Sequence, residues 1–329
     1  MSARPLVHAL RDPATVTGLD ESGWNALIAM ARAERLIGTL AHRIGDRPVP
    51  QAVRAILTDA LTDAEREARQ ALWEADRAAE ALAPLDGPVI LLKGTAYAAA
   101  SLSAAQGRFI GDLDILVPRD ALPMVEQALF AAGWEWVKSD PYDDAYYRQW
   151  MHELPPLIHA SRDRIIDVHH TVLPLTARQT PDAAAMIADA VPLPNGLAIL
   201  SPEDRICHSV AHLLADGDMQ GGLRNLWDIH CLLDGADDRR LAQRAARHGL
   251  ARHVRQAQRL AAALYGDGAR LTLWDRIVIA RLLARDGWGR ERRKLLVFAF
   301  YIRSHWLRMP PAMLAHHLFT KWRKGHRPA

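Results

Sequence analysis

Leu91-Leu92-Lys93-Gly94-Thr95, followed by Gly111-Asp112-Leu113-Asp114-Ile115-Leu116-Val117, is the stretch from which the fold can be read. Side chains alternate along a strand, so Asp112 and Asp114 share one face while Leu113 and Ile115 point to a core on the other. Two like charges so close repel unless a cation lies between them. Hard oxygen donors in this pattern suit Mg²⁺. Upstream, Val89-Ile90-Leu91-Leu92 predicts a short buried strand, and Lys93-Gly94-Thr95 predicts the turn into a helix. A glycine turn at a helix N-terminus presents backbone N–H groups to an anion such as phosphate. A phosphate cradle beside a carboxylate pair points to metal-assisted chemistry on a nucleoside triphosphate.

Working outward, Glu21 to Arg43 carries Trp24, Leu27, Ile28, Leu36 and Leu40 mostly at three- and four-residue steps, which predicts one amphipathic helix. Gly45 and Pro48 end it, and a second helix is expected from Pro50 to Leu82, rich in Ala, Glu and Arg. Pro5, Pro13 and Gly18 predict a loose N-terminus. After the carboxylate strand, a helix is expected over 120–132 with Gly133 as its stop, then strands at Trp134–Val137, Arg148–Glu153, Leu157–Ala160 and Ile165–His169. The Tyr-rich stretch 139–147 predicts a loop. Such a run of short strands after a βαβ-like opening argues for a mixed sheet. The order Ser201-Pro202-Glu203-Asp204 gives an N-cap, a Pro at the first helical position and acids in the first turn, opening a helical half that runs to about residue 320. The expected division is a helical cap at 1–83, an α/β core at 84–175, a connection at 176–200 and a helical domain at 201–329. The fold class is therefore α+β, a small mixed sheet with flanking helices.

Composition narrows the class further. The chain has 329 residues, half of them hydrophobic, with a net charge of +3 and two cysteines, Cys207 and Cys231. That charge gives no specific nucleic-acid signal. No apolar run of membrane-spanning length is present, and nothing suggests a disulfide framework, so a cytoplasmic protein is expected. The stretch from Arg290 to Arg327 holds ten Lys or Arg against one acid, Glu291, with Trp306, Met313 and Trp322 interleaved. It reads as an amphipathic closing pair of helices, or as a contact for an acidic partner or surface.

The strand, Gly-Thr turn, helix and Asp-x-Asp strand resemble the core of the DNA polymerase β-like nucleotidyltransferase superfamily. More narrowly, Leu-Leu-Lys-Gly-Thr-Ala, Arg108 and Gly-Asp-Leu-Asp-Ile-Leu-Val are similar to a bacterial uncharacterised nucleotidyltransferase family. The likeness continues through Ile166-Asp167-Val168-His169-His170 and Ser201-Pro202-Glu203-Asp204, covering about residues 20 to 310. Thr95 departs from the usual Ser or Gly but keeps a hydroxyl. The resemblance implies that Asp112 and Asp114 hold two Mg²⁺ (or Mn²⁺) ions, and that Asp167 is the third metal-binding carboxylate and helps to deprotonate an acceptor. It implies that Gly94 and Thr95 grip phosphates, with Arg108 and Lys93 offsetting their charge. The implied reaction moves a nucleoside monophosphate from an NTP, with ATP the expected one, to a hydroxyl on a small molecule, peptide or protein.

Other candidates rest on position. His152 and His169 lie near the carboxylates in sequence, and His169 shares a strand face with Asp167. His208 and His212 stand four apart on a predicted helix, a spacing compatible with metal ligation but more readily with packing. Arg224 and Asp228 form either a surface ion pair or a face toward nucleotide or acceptor. Arg108 pairs either with phosphate or with Asp112 or Asp114. Two competing readings are a catalytically silent nucleotide- or partner-binding module and a phosphate-ester hydrolase using the same carboxylates.

Overall fold

A computed structural model describes residues 2–311 and 314, apart from residues 139 and 218; the side chains of residues 142 and 143 are also outside the description. Its architecture is mixed α+β. The N-terminus is not loose: α1 (Arg4–Arg11) and a 3₁₀ turn at Pro13–Val16 bury Leu6, Leu10 and Val16. Pro5 sits in the first turn of α1, where its missing N–H is no loss. The single helix expected over 21–43 is two, α2 (Glu21–Ala33) and α3 (Ile37–Ile44). They part at Arg35, whose φ of 54° is left-handed; the apolar spacing continues across the break, so periodicity alone does not register it. The long helix α4 spans Gln51–Leu82.

The sheet is built from β1 (Ile90–Leu91), β2 (Leu113–Leu116), β3 (Trp134–Trp136), β4 (Leu157–His159), β5 (Ile165–His169), β6 (Val191–Pro192) and β7 (Ala198–Ile199). Its order is β3-β4-β5-β2-β1-β7-β6, with β2 parallel to β5, β1 parallel to β7 and the other pairs antiparallel. Helix α5 (Lys93–Ala99) follows β1, and α6 (Leu122–Ala131) lies between β2 and β3. The stretch expected as a Tyr-rich loop and a strand at 148–153 is instead α7 (Pro141–Trp150), followed by a lone antiparallel bridge from Glu153 to His169. Pro at the helix start and the Arg148–Asp144 pair at i, i+4 support it.

The alternation along β2 divides the molecule. Leu113 and Ile115, with Ile166 and Val168 of β5, enter a core shared with α4 and α6. Leu116 enters a second core that joins the N-terminal helices to the C-terminal ones. These last are α9 (Pro202–Val210), reached through α8 (Ala183–Ala188), then α10 (Gly222–Leu233), α11 (Asp238–Arg247), α12 (Ala251–Leu264), α13 (Leu273–Leu282) and α14 (Lys294–Arg308). Ser201 caps α9 by accepting from the Asp204 N–H. The α9 chain continues into a π turn at Ala211–Asp216. Among the described residues no helix is long and apolar enough to cross a membrane. Met313, Trp322 and the rest of the expected helical half from residue 312 on, apart from residue 314, lie outside the described residues.

Candidate active site

Asp114 on β2 and Asp167 on β5 are register partners on neighbouring parallel strands, so their side chains leave the same face of the sheet. Asp112, just before β2, joins them: the three offer carboxylate oxygens within 4.8 Å of one another. Asp114 is buried, Asp167 half-buried and Asp112 exposed. The set thus runs from the protein interior to its surface.

Lys93 closes on this set. It is the first residue of α5, with a left-handed φ of 48°, and its Nζ lies 2.5 Å from Asp114 Oδ1. A non-glycine residue in this region is strained by roughly 1–2 kcal/mol; here the strain accompanies a buried ion pair. His169, two residues after Asp167, places Nε2 3.0 Å from the same Asp114 oxygen. Burial alone would raise the Asp114 carboxyl, but the Lys93 ammonium and the His169 hydrogen bond outweigh it and hold it far below its usual range. Burial works against the Lys93 ammonium, and Asp114 more than restores it. At Asp167 burial, then the charges of Asp114 and Glu153, outweigh the downward pull of His169 and Lys93 and push the carboxyl up to about 7, and its Oδ1 is buried without a hydrogen-bond partner.

A cavity of about 200 Å³ opens beside Asp112 and Asp114, between the sheet and the helices α9 and α10. Lys93, Gly94 and Arg108 line it from the sheet side; His208, His212, Arg224 and Asp228 line it from the helices. A Cβ at Gly94 would meet the Arg108 guanidinium, 2.9 Å from its Cζ, so any larger residue would displace that side chain. Arg108 donates from Nε to Asp228 Oδ2 at 3.1 Å and lies over the Tyr97 ring, 5.5 Å from its centroid. It therefore pairs with Asp228 and not with Asp112 or Asp114. Arg224 reaches the same Asp228 oxygen at 3.9 Å, so one carboxylate faces two guanidinium groups. Burial, then Arg108, lowers the pKa of Arg224. Tyr97 and Ser209 share a hydrogen bond of 2.6 Å that ties α5 to α9.

Thr95 lies beside Gly94 but is buried with its hydroxyl unpartnered, and it does not line the cavity. His212 does line it, from the π turn, with its ring 4.7 Å from that of His208. Burial, then the nearby Lys93 charge, brings His208 down to about 3; burial and His208 likewise hold His212 well below its usual value. This wall of imidazoles is neutral at physiological pH. His152 packs against both His169 and His212, at ring distances of 5.1 and 6.3 Å.

Sequence reading left out Glu153, whose Oε2 lies 3.5 Å from Nε2 of both His152 and His169. The His152-Glu153 pair ahead of Leu154-Pro155-Pro156 was its available signal. Arg35, Tyr97, Ser209 and Asn225 were also left out; no spacing in the sequence brings them to the site. Tyr146 donates to Met309 Sδ at 3.9 Å, outside the cavity, and the Tyr142 side chain is not described.

A mixed sheet carries three converging carboxylates that could hold a metal ion, two of them in a cation-lined cavity, and this arrangement fits a transferase of the nucleotidyl class. The chain belongs to the uncharacterised nucleotidyltransferase family, whose sequence pattern matches residues 20–266. The match runs from just before α2 to just past α12, and so takes in the whole sheet. No curated protein matches the chain. General nucleotidyl transfer from an NTP is the chemistry that this membership and the acidic cluster support.

Proposed function

We propose that the protein transfers a nucleoside monophosphate from an NTP, with ATP the expected donor, to a hydroxyl of a small molecule, peptide or protein. The observation that carries this reading is the convergence of Asp112, Asp114 and Asp167 on one sheet face beside a cavity lined by Lys93, Arg108 and Arg224. The donor set fits Mg²⁺ or Mn²⁺: all are hard carboxylate oxygens, and Asp167 Oδ1 is buried without a partner. Asp112, Asp114 and Asp167 would hold the metal, which when bound would neutralise phosphate charge on both sides of the displacement.

The remaining steps belong to the chain itself. The acceptor oxygen forms a bond to the α-phosphorus as the bond to the bridging oxygen breaks, and pyrophosphate leaves. Asp167 helps to take the acceptor proton at its carboxylate. Arg108 and Arg224 bind phosphate oxygens, and Asp228 holds both guanidinium groups in place. Asp114 would have to give up its Lys93 partner to hold a metal, which would leave the Lys93 ammonium to bind the polyphosphate. The missing Cβ at Gly94 leaves room for the Arg108 guanidinium to sit against the turn and meet the phosphates there. His152, His169 and His212 line the acceptor's side.

We further propose a cytoplasmic location, which two free cysteines support. The basic C-terminal stretch is proposed to meet an acidic partner; α14 adds exposed Leu295, Phe298, Ile302 and Trp306 among its arginines and lysine.

The test is pyrophosphate release from each NTP with Mg²⁺ or Mn²⁺, read beside a mass scan of protein and added metabolites. Asp112→Asn/Asp114→Asn should abolish release, a loss of at least about a thousandfold, or about 4 kcal/mol of transition-state stabilisation. A specific observation favours a second reading, a binding module without turnover. Lys93 already neutralises Asp114, and the cavity is smaller than the roughly 300 Å³ at which ligand pockets usually begin. Tight NTP binding without product, unchanged by Asp114→Asn, would select that reading.

A further inference from the structure

A second group of donors lies next to the carboxylate set and shares no residue with it. His152 Nε2, Glu153 Oε2 and His169 Nε2 all lie within 4.8 Å of one another. Backbone bonds fix their positions. Glu153 forms an antiparallel bridge with His169, the Leu154 N–H donates to Val168 O at 2.9 Å, and the His170 N–H donates to His152 O at 2.9 Å. The donors are thus carried by a ladder to β5 rather than by free side chains.

Their spacing is informative. Glu153 Oε2 stands 3.5 Å from each imidazole nitrogen, longer than an N–H···O hydrogen bond of about 2.7–3.2 Å. Around a four-coordinate zinc, bonds of about 2.0–2.1 Å at tetrahedral angles place neighbouring donors roughly 3.3–3.4 Å apart. The observed separations are close to those of ligands around such an ion, and too wide for partners in a hydrogen bond. His169 is buried, and His152 and Glu153 are nearly so.

We propose that His152, Glu153 and His169 bind a transition cation of the zinc type, at a site separate from the one that Asp112, Asp114 and Asp167 offer to Mg²⁺. Two imidazoles select against Mg²⁺, which prefers oxygen throughout, and favour zinc and its neighbours. Two histidines and one carboxylate form a three-ligand set that leaves a fourth position for water or an acceptor atom. The inference does not depend on nucleotidyl transfer.

The experiment uses the full chain, stripped with chelator and titrated with Co²⁺ alone, with no nucleotide present. The readout is the visible d–d absorption of the bound ion. Expected is one bound ion with the intense bands of four-coordinate cobalt, displaced by Zn²⁺ and retained in excess Mg²⁺. Glu153→Gln and His152→Gln should each weaken binding by more than about a hundredfold, while Asp112→Asn should leave the band in place. Circular dichroism checks that each variant is folded, and His152→Gln alone carries the test should Glu153→Gln not fold. Absence of a band, or a band removed by excess Mg²⁺ or by Asp112→Asn, would overturn the proposal.

Discussion

Asp167 shows how much one residue's surroundings decide. On sequence it is an acid between two apolar residues, and its alternation places it opposite Ile166 and Val168. In the structure it stands beside the like charge of Asp114 with an unpartnered buried oxygen. Its folded pKa, about 7, lies above the ordinary carboxyl value. The folded state therefore holds the proton more tightly than the unfolded chain does. Ionised Asp167 weakens the metal-free fold as pH rises from the ordinary carboxyl range through about 7. A divalent ion binds the ionised form, so its stabilisation should grow over the same range. The Mg²⁺-induced rise in Tm is thus expected to be larger at about pH 8 than at about pH 6, and Asp167→Asn should remove the difference. A rise independent of pH would count against Asp167 as a ligand.

At the scale of elements, the turn from β1 into α5 is where sequence and structure agree in outline and differ in use. Gly94 was expected to admit phosphate; its nearest neighbour is the Arg108 guanidinium. Gly94→Ala should push Arg108 from Asp228 and weaken NTP binding at least about tenfold, or about 1.4 kcal/mol, read by calorimetric titration. Affinity equal to wild type would show that the guanidinium can shift without loss. The start of α13 makes a separate prediction. Thr272 and Asp275 form a reciprocal capping box, and Arg259 and Gln256 also bond the Asp275 carboxylate. Burial would raise Asp275, but Arg259 and the Thr272 bonds outweigh it and bring it down to about 2. This stabilisation is complete at neutral pH and is lost as pH falls from the ordinary carboxyl value toward 2. Asp275→Asn should lower stability by about 1–3 kcal/mol at pH 7 and flatten the acid limb of a denaturant-versus-pH series.

At the scale of the whole molecule, the first helix is part of the core. Leu6 and Leu10 are fully buried, and the Ala3 N–H donates to Leu283 O at 3.2 Å, so the chain's beginning is tied to the end of α13. Leu10→Ala should lower unfolding stability by about 2–5 kcal/mol in urea melts. A change under about 0.5 kcal/mol would mean that α1 is dispensable to the core.

The sequence by itself determined the mixed sheet and the face that carries Asp112 and Asp114. Two-residue alternation and apolar flanks are local properties, and no neighbour has to be known to read them. It determined the strand bearing Asp167 and His169, and the cap that opens α9, for the same reason. The break at Arg35 and the helix at 141–150 were hidden, because apolar spacing runs through the first and polar tyrosines mask the second. Only the tertiary structure decided which charges meet. Lys93 reaches Asp114 through a left-handed turn, Arg108 finds Asp228 on a helix far along the chain, and Glu153 comes between His152 and His169 through a bridge to β5. Those pairings depend on where distant elements pack, and packing is decided by the shapes of two shared cores, which local sequence patterns do not encode.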